Sequence, residues 1–298
     1  MNMHAVPEAR ITTGQEAAPA QAWRIAFPVD AGLHAAPLAV IREPMNAVAV
    51  ASPVDLNEAL AASAAPQDGS LLVIWIRSAP GSALDLDARL QAWIKAGLAP
   101  NQSAVHASIK SVRIECTSIR CIVHAAPEQL ADAMDAVARF VPVLRATTEL
   151  EARMTATWPR IKAHTPLTHA VTRAQLRLQR EVDGETERAT EMKAMHLRLA
   201  TALEQLDQTL SATSKRIYAD LAAAAALPDR VEMLEDPIQF ALDHYELANW
   251  RLTEIGAART GKALEVLIIL ILLADFCMRV LEYLLPYVSS WFSPIIPG

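Results

Sequence analysis

DPIQFALDHYELANWRLTEIGAARTGKALEVLIILILLADFCMRVLEYLL, residues 236–285, decides how the chain is read. Asp236 suits a helix N-cap, Pro237 the first turn, and Gln239 completes a capping-box-like pattern. No further proline occurs before Pro286. The first half is amphipathic and the second almost wholly apolar, so the pattern predicts one helix that enters a membrane. Only 266–274 is free of charge. A span needs about 20 residues, so a membrane helix over 263–285 must take in Glu265, Asp275, Arg279 and Glu282. Each central charge opposes insertion by about 2.5–3.5 kcal/mol. Asp275 and Arg279 are four apart, and Arg279 and Glu282 three apart, so they can pair along one face. Glu265 falls near the same stripe. The rest of the helix can face lipid while this stripe meets a partner, either another copy or a membrane protein. A buried helix of a water-soluble protein, with a paired surface stripe, is the competing account.

Arg251, Arg259 and Lys262 precede the span and no basic residue follows Arg279. The positive-inside rule therefore predicts an N-terminal part in the cytoplasm. Tyr287, Trp291 and Phe292 in the apolar tail 286–298 suit a membrane interface. Only 6 of the 27 basic residues are lysine; this Arg- and Ala-rich usage suits a GC-rich bacterial genome, and hence a bacterial inner membrane.

Upstream, residues 168–227 lack proline, and Gly184 is their only glycine. Met192, His196, Leu199, Leu203, Leu206, Leu210, Thr213 and Ile217 recur in alternating steps of four and three, a heptad-like seam. Pro228-Asp229 reads as the end of this helix and Asp236-Pro237 as the start of the next. Two long helices joined by so short a connection predict an antiparallel, coiled-coil-like hairpin.

The N-terminal third reads differently. Residues 1–22 are polar and aperiodic and are expected to be disordered. WRIAF (23–27), PLAVI (37–41) and AVAVAS (47–52) are strand candidates. SPVDLNEALAAS (52–63) reads as a helix with Ser52 as its cap, and LLVIWIR (71–77) as a central buried strand. A helix over 84–96 closes on Gly97. SVRIECTSIRCIVHA (111–125) alternates as a hairpin around a Thr117-Ser118 turn. Pro127 then starts a helix with Leu130, Met134, Val137 and Val141 on one face. The expectation is an α+β chain. An α/β domain over 23–145, one sheet with helices on one side, is followed by a hairpin stalk over 146–262, the membrane helix over 263–285 and the tail.

A net charge of −6 and the lack of a Lys/Arg cluster argue against nucleic acid as a partner. The three cysteines give no disulfide framework, and no apolar run of secretory length opens the chain. Cys116, Cys121, His124 and His106 raise the question of zinc. The C-x4-C-x2-H spacing is not a common zinc pattern, and inward-pointing core cysteines are expected instead. His164 and His169 flank Pro166 and read as an exposed pair. No Walker loop, Rossmann fingerprint, HExxH or GxSxG occurs. No catalytic, cofactor or metal residue is therefore assigned.

LEVLIILILLAD (264–275) resembles the sequence that ends the family named "required for meiotic nuclear division", which has a Leu-Glu pair, an Ile/Leu run and a second acid about ten residues on. Glu265 and Asp275 match that spacing, and Asn249-Trp250-Arg251-Leu252 resembles the family's Asn-x-Arg-Leu. The family's Pro-Asp-Phe-Phe-Trp-like element has no counterpart at Pro228. The resemblance implies a membrane-anchored protein with an α/β part and a helical hairpin, whose eukaryotic relatives organise complexes at a membrane. The functional expectation is a non-enzymatic scaffold: an oligomerising stalk that presents its α/β domain to a cytosolic protein. A membrane-tethered small-molecule sensor and an oligomeric ion-conducting protein are the alternatives.

Overall fold

The computed structural model describes residues 20–29, 37–61, 69–77, 84–98, 102–169, 171–204 and 210–291. Most of the expected disordered N-terminus (1–22) therefore lies outside the described residues. The chain is α+β. It opens with β1 (Ala20–Ala26), β2 (Ala39–Ile41), β3 (Ala47–Val54), α1 (Leu56–Ala61), β4 (Leu71–Arg77) and α2 (Leu84–Lys95). It continues through β5 (Val105–Ile109), β6 (Val112–Cys116), β7 (Arg120–Ala125) and α3 (Pro127–His164). Two short 3-10 segments lead into α4 (Gln179–Glu204), α5 (Ala212–Ala224) and α6 (Leu227–Trp291).

The strands form one seven-stranded sheet in the order β2-β3-β1-β4-β7-β6-β5. Only β4 and β7 pair in parallel; every other neighbouring pair is antiparallel. LLVIWIR occupies the centre as β4 because almost every residue is apolar and both faces can be buried. Leu72, Ile74 and Ile76 pack with Ala59 of α1 and with Leu90, Trp93 and Ile94 of α2. Leu71, Val73 and Trp75 on the opposite face are equally buried. The sheet's centre is thus covered on both faces, with α1 and α2 on the same one.

Local chemistry moves several element ends. Ser52 and Pro53 remain in β3, opposite Arg24 and Trp23. The cap of α1 is Asp55, whose Oδ1 accepts the backbone N–H groups of Asn57 at 2.9 Å and Glu58 at 3.1 Å. The β6–β7 turn centres on Ser118-Ile119, one residue later than expected, because the Thr117 N–H donates to the Arg120 carbonyl at 2.7 Å.

Arg120 is only 1% exposed. Its guanidinium donates to the Trp93 carbonyl in the last turn of α2 and lies over the Trp93 ring, 5.1 Å from the centroid. A cation at a helix C-terminus satisfies a carbonyl that the helix itself leaves without a partner. Burial lowers the Arg120 pKa. Gly97, just beyond the end of α2, makes room for this: a Cβ there would stand 2.7 Å from Arg120 Cδ.

The chain divides into two units, residues up to Trp158 with Thr190–Phe240, and Pro159–Ala189 with Ala241 onward. In the first unit α4 runs antiparallel to α6: His196 Nε2 lies 3.0 Å from the Val231 carbonyl, and Lys193 lies 3.6 Å from Glu235. Arg230 of α6 grips Glu151 of α3 through two 2.7 Å hydrogen bonds. Ser211 caps α5 and donates to Asp132 of α3 at 2.7 Å. In the second unit Arg160 meets the buried Glu185 at 3.0 Å, and Gln179 donates to Asn249 at 2.8 Å.

The proline readings need correction. Pro228 lies in the first turn of α6, where its missing N–H has no cost. Pro237, expected to start a new helix, lies inside α6, and Pro142 and Pro159 lie inside α3. An interior proline opposes a helix by about 3 kcal/mol. Around Pro237 the buried stripe Val231, Leu234, Ile238 and Ala241 opposes that. The connection expected between Pro228 and Asp236 is absent; Ala225 and Ala226 alone join α5 to α6, with Ala226 at φ +49°.

Candidate functional site

The longest run of exposed apolar residues lies in the C-terminal half of α6. A helix that packs against its own protein buries one stripe and exposes the other. Earlier in α6 this holds, with Ile238, Ala241, Tyr245, Ala248 and Leu252 buried. Past Gly261 the pattern stops. Thirteen large apolar side chains between Leu264 and Leu281 are 39–64% exposed, and eight of them, Val266 to Leu273, are consecutive. Consecutive residues lie 100° apart around a helix, so the apolar surface encircles α6. No packing on a single side could cover it.

Asp275 and Arg279 pair along this segment, Oδ2 to Nε at 3.1 Å, with both side chains mostly exposed. Glu265 is exposed on the same helix. Glu282 belongs to α6, but its side chain lies outside the described residues. Among the described residues, no helix is long and apolar enough to cross a membrane. The cause is charge spacing: an 18-residue window that contains 266–274 always takes in at least three charged residues.

The seam residues do not lie on one helix. Met192, His196 and Leu199 are buried on α4 and Leu203 is half-buried there. Leu206 lies outside the described residues, Leu210 is buried between the helices, and Ile217 is buried on α5. His196 holds a core position, tied to the carbonyl of Val231.

Strand register separates the cysteine and histidine cluster. Cys116 and Cys121 are direct cross-strand partners, both fully buried. His106 opposes Glu115, and His124 opposes Arg113. Alternation therefore puts both histidines on the face opposite the thiols. Burial pushes the Cys121 thiol well above its usual pKa, and Cys116 beside it pushes the same way. Among the described residues no three His, Cys, Asp or Glu side chains are grouped to hold a metal.

Sequence periodicity missed a histidine cluster in the second unit. His164 was expected at the surface but is 6% exposed, 3.3 Å from Glu181. Its ring meets the edge of Tyr245, as does that of His244. Burial raises the Tyr245 hydroxyl to about 12, with Glu185 the next cause. The His244 imidazole is held below its ordinary value, first by burial and then by His164 and His169. An unfolded chain takes up a proton near pH 6.5 that folded His244 refuses. Its contribution is intact above that pH and is lost as pH falls through it. Thermal melts should therefore show a larger loss of Tm between pH 7.5 and 5.5 in the wild type than in His244→Gln. His124, also depressed chiefly by burial, keeps part of the slope in the variant. Equal slopes in the two proteins would rule His244 out as the cause.

No protein-family model and no curated protein matches the chain. Among solved structures, that of a full-length CmaX protein aligns over 96% of this chain and 90% of its own, at 12% identity and a TM-score of 0.28. So loose an overlap carries no argument about fold or activity.

Proposed function

We infer that the chain is a membrane-tethered scaffold without catalytic chemistry. The C-terminal third of α6 is its tether, and its sheet-bearing unit is offered to a protein on the cytoplasmic side. The observation that carries this reading is the ring of exposed apolar side chains from Leu264 to Leu281. In water such a surface is unstable; in lipid it is the expected one. Its twelve Leu, Ile, Val and Phe side chains favour insertion by about 4–7 kcal/mol, Asp275 with Arg279 oppose it by about 5–7 kcal/mol, and Glu265 and Glu282 nearer the ends oppose it further. This opposition, together with the ion pair, favours a tether that shields its charged stripe against a second copy or another membrane helix. Arg251, Arg259 and Lys262 on the N-terminal side support a cytoplasmic sheet unit, in a bacterial inner membrane. The Leu264-Glu265…Asp275 resemblance noted above supports the same arrangement.

Alkaline carbonate extraction of membranes that contain the full-length chain is the test. The chain is expected in the pellet, and release into the supernatant would overturn the tether. Assembly is read separately, as the mass of the detergent-solubilised wild type and Asp275→Leu. A monomer in both would remove the charged-stripe contact while leaving the tether in place.

A further inference from the structure

A second apolar surface lies within the first unit, apart from the tether. Trp158 of α3 and Phe240 of α6 stack with centroids 5.9 Å apart and planes 29° from parallel. Trp158 is 45% exposed, Phe240 51%, and Met233, two turns before Phe240, 67%. Single exposed apolar residues are ordinary on a protein surface. A stacked Trp–Phe pair in line with a methionine is instead the kind of anchor that dominates protein interfaces.

The charges beside this patch indicate what would cover it. Asp229, Glu232 and Asp236 recur in steps of three and four on the exposed side of α6, next to Met233 and Phe240. None of the three has an ion-pair partner among the described residues. Two other acids on these helices do have one: Glu235 has Lys193, and Glu151 has Arg230. Asp229 gains from the helix N-terminus, but Glu232 and Asp236 are too far along for that. A second copy would set these acids against themselves, and an anionic bilayer surface would be repelled.

The geometry points to a docking site for a basic amphipathic helix of another protein. The partner's apolar residues would cover Trp158, Phe240 and Met233, and its Lys or Arg residues would meet Asp229, Glu232 and Asp236. This is the helix-in-groove mode, with charge setting the choice of partner. The site names the chemistry of the scaffold's cytosolic partner, but it does not depend on the membrane tether.

The probe is a labelled amphipathic Leu/Lys peptide about 18 residues long, enough to form helix, with a Leu/Glu peptide of the same pattern as control. Binding to the full-length chain is followed by fluorescence anisotropy, with the variants in identical preparations so that any background from the apolar end cancels. The Leu/Lys peptide should bind and the Leu/Glu peptide should not. Trp158→Ala/Phe240→Ala should weaken binding by roughly tenfold or more. Glu232→Gln/Asp236→Asn keeps the aromatic pair. It should weaken binding at low salt, with the difference shrinking near 1 M salt as screening sets in. Equal affinity for wild type and both variants would overturn the proposal. So would a drop in the chain's own oligomeric mass in the aromatic variant without any peptide binding, which would give the face to a second copy.

Discussion

Arg120→Ala should lower the stability of the chain by about 3–5 kcal/mol, read as a fall in the urea midpoint at unchanged slope. The guanidinium is buried against Trp93 and satisfies that residue's carbonyl at the end of α2. Alanine would leave a cavity and an orphaned acceptor. Arg120→Met, which keeps most of the volume, should lose much less, because a buried charge gives up desolvation when it is removed. Gly97→Ala presses on the same side chain and should cost about 1–3 kcal/mol alone. In the Arg120→Ala background that penalty should largely vanish, because the atom 2.7 Å from the new Cβ is gone. Additive losses would mean that Gly97 is required for its backbone and not for the space it leaves.

Leu267→Asp/Ile271→Asp should move the full-length chain from the carbonate-resistant pellet to the supernatant. Two aspartates near the middle of the apolar segment oppose insertion by about a further 5–7 kcal/mol, on top of the charges already there. Asp275→Leu/Arg279→Leu should act in the opposite direction and resist extraction more firmly. A pellet fraction unmoved by the double aspartate would mean that contacts elsewhere hold the chain to membranes.

Much of the sheet was legible because its signals are local. Leu71–Arg77 is apolar throughout and is the central strand. The alternation in Val112–Cys116 is the buried and exposed pattern of β6. β5 escaped notice because its turn to β6, Lys110-Ser111, has no Gly or Asn, although Lys110 adopts φ +52°. Arg120 alternates with the inward Cys121 in the hairpin pattern, yet α2 lies over its face. Period two shows which residues share a face but not what covers it. Proline misled for a related reason: its local penalty at Pro237 is legible, whereas the packing that outweighs it is not. The apolar run 266–274 was plain in the sequence, but the Trp158–Phe240 pair needed residues about eighty positions apart, on two helices, to be placed side by side.

The discontinuity of the first unit also affects the order in which the chain is made. Domains generally fold as units, N-terminal part first, as the chain emerges during synthesis. All seven strands are complete by Ala125, but the unit is closed by Thr190–Phe240, much later in the chain. The run from Leu264 to Leu281 follows that closing segment. During synthesis the segment that closes the sheet unit therefore emerges before the apolar run 264–281. A chain ending before Phe240 would lack part of this unit, whereas one ending shortly after it would hold all of the unit without the apolar run 264–281.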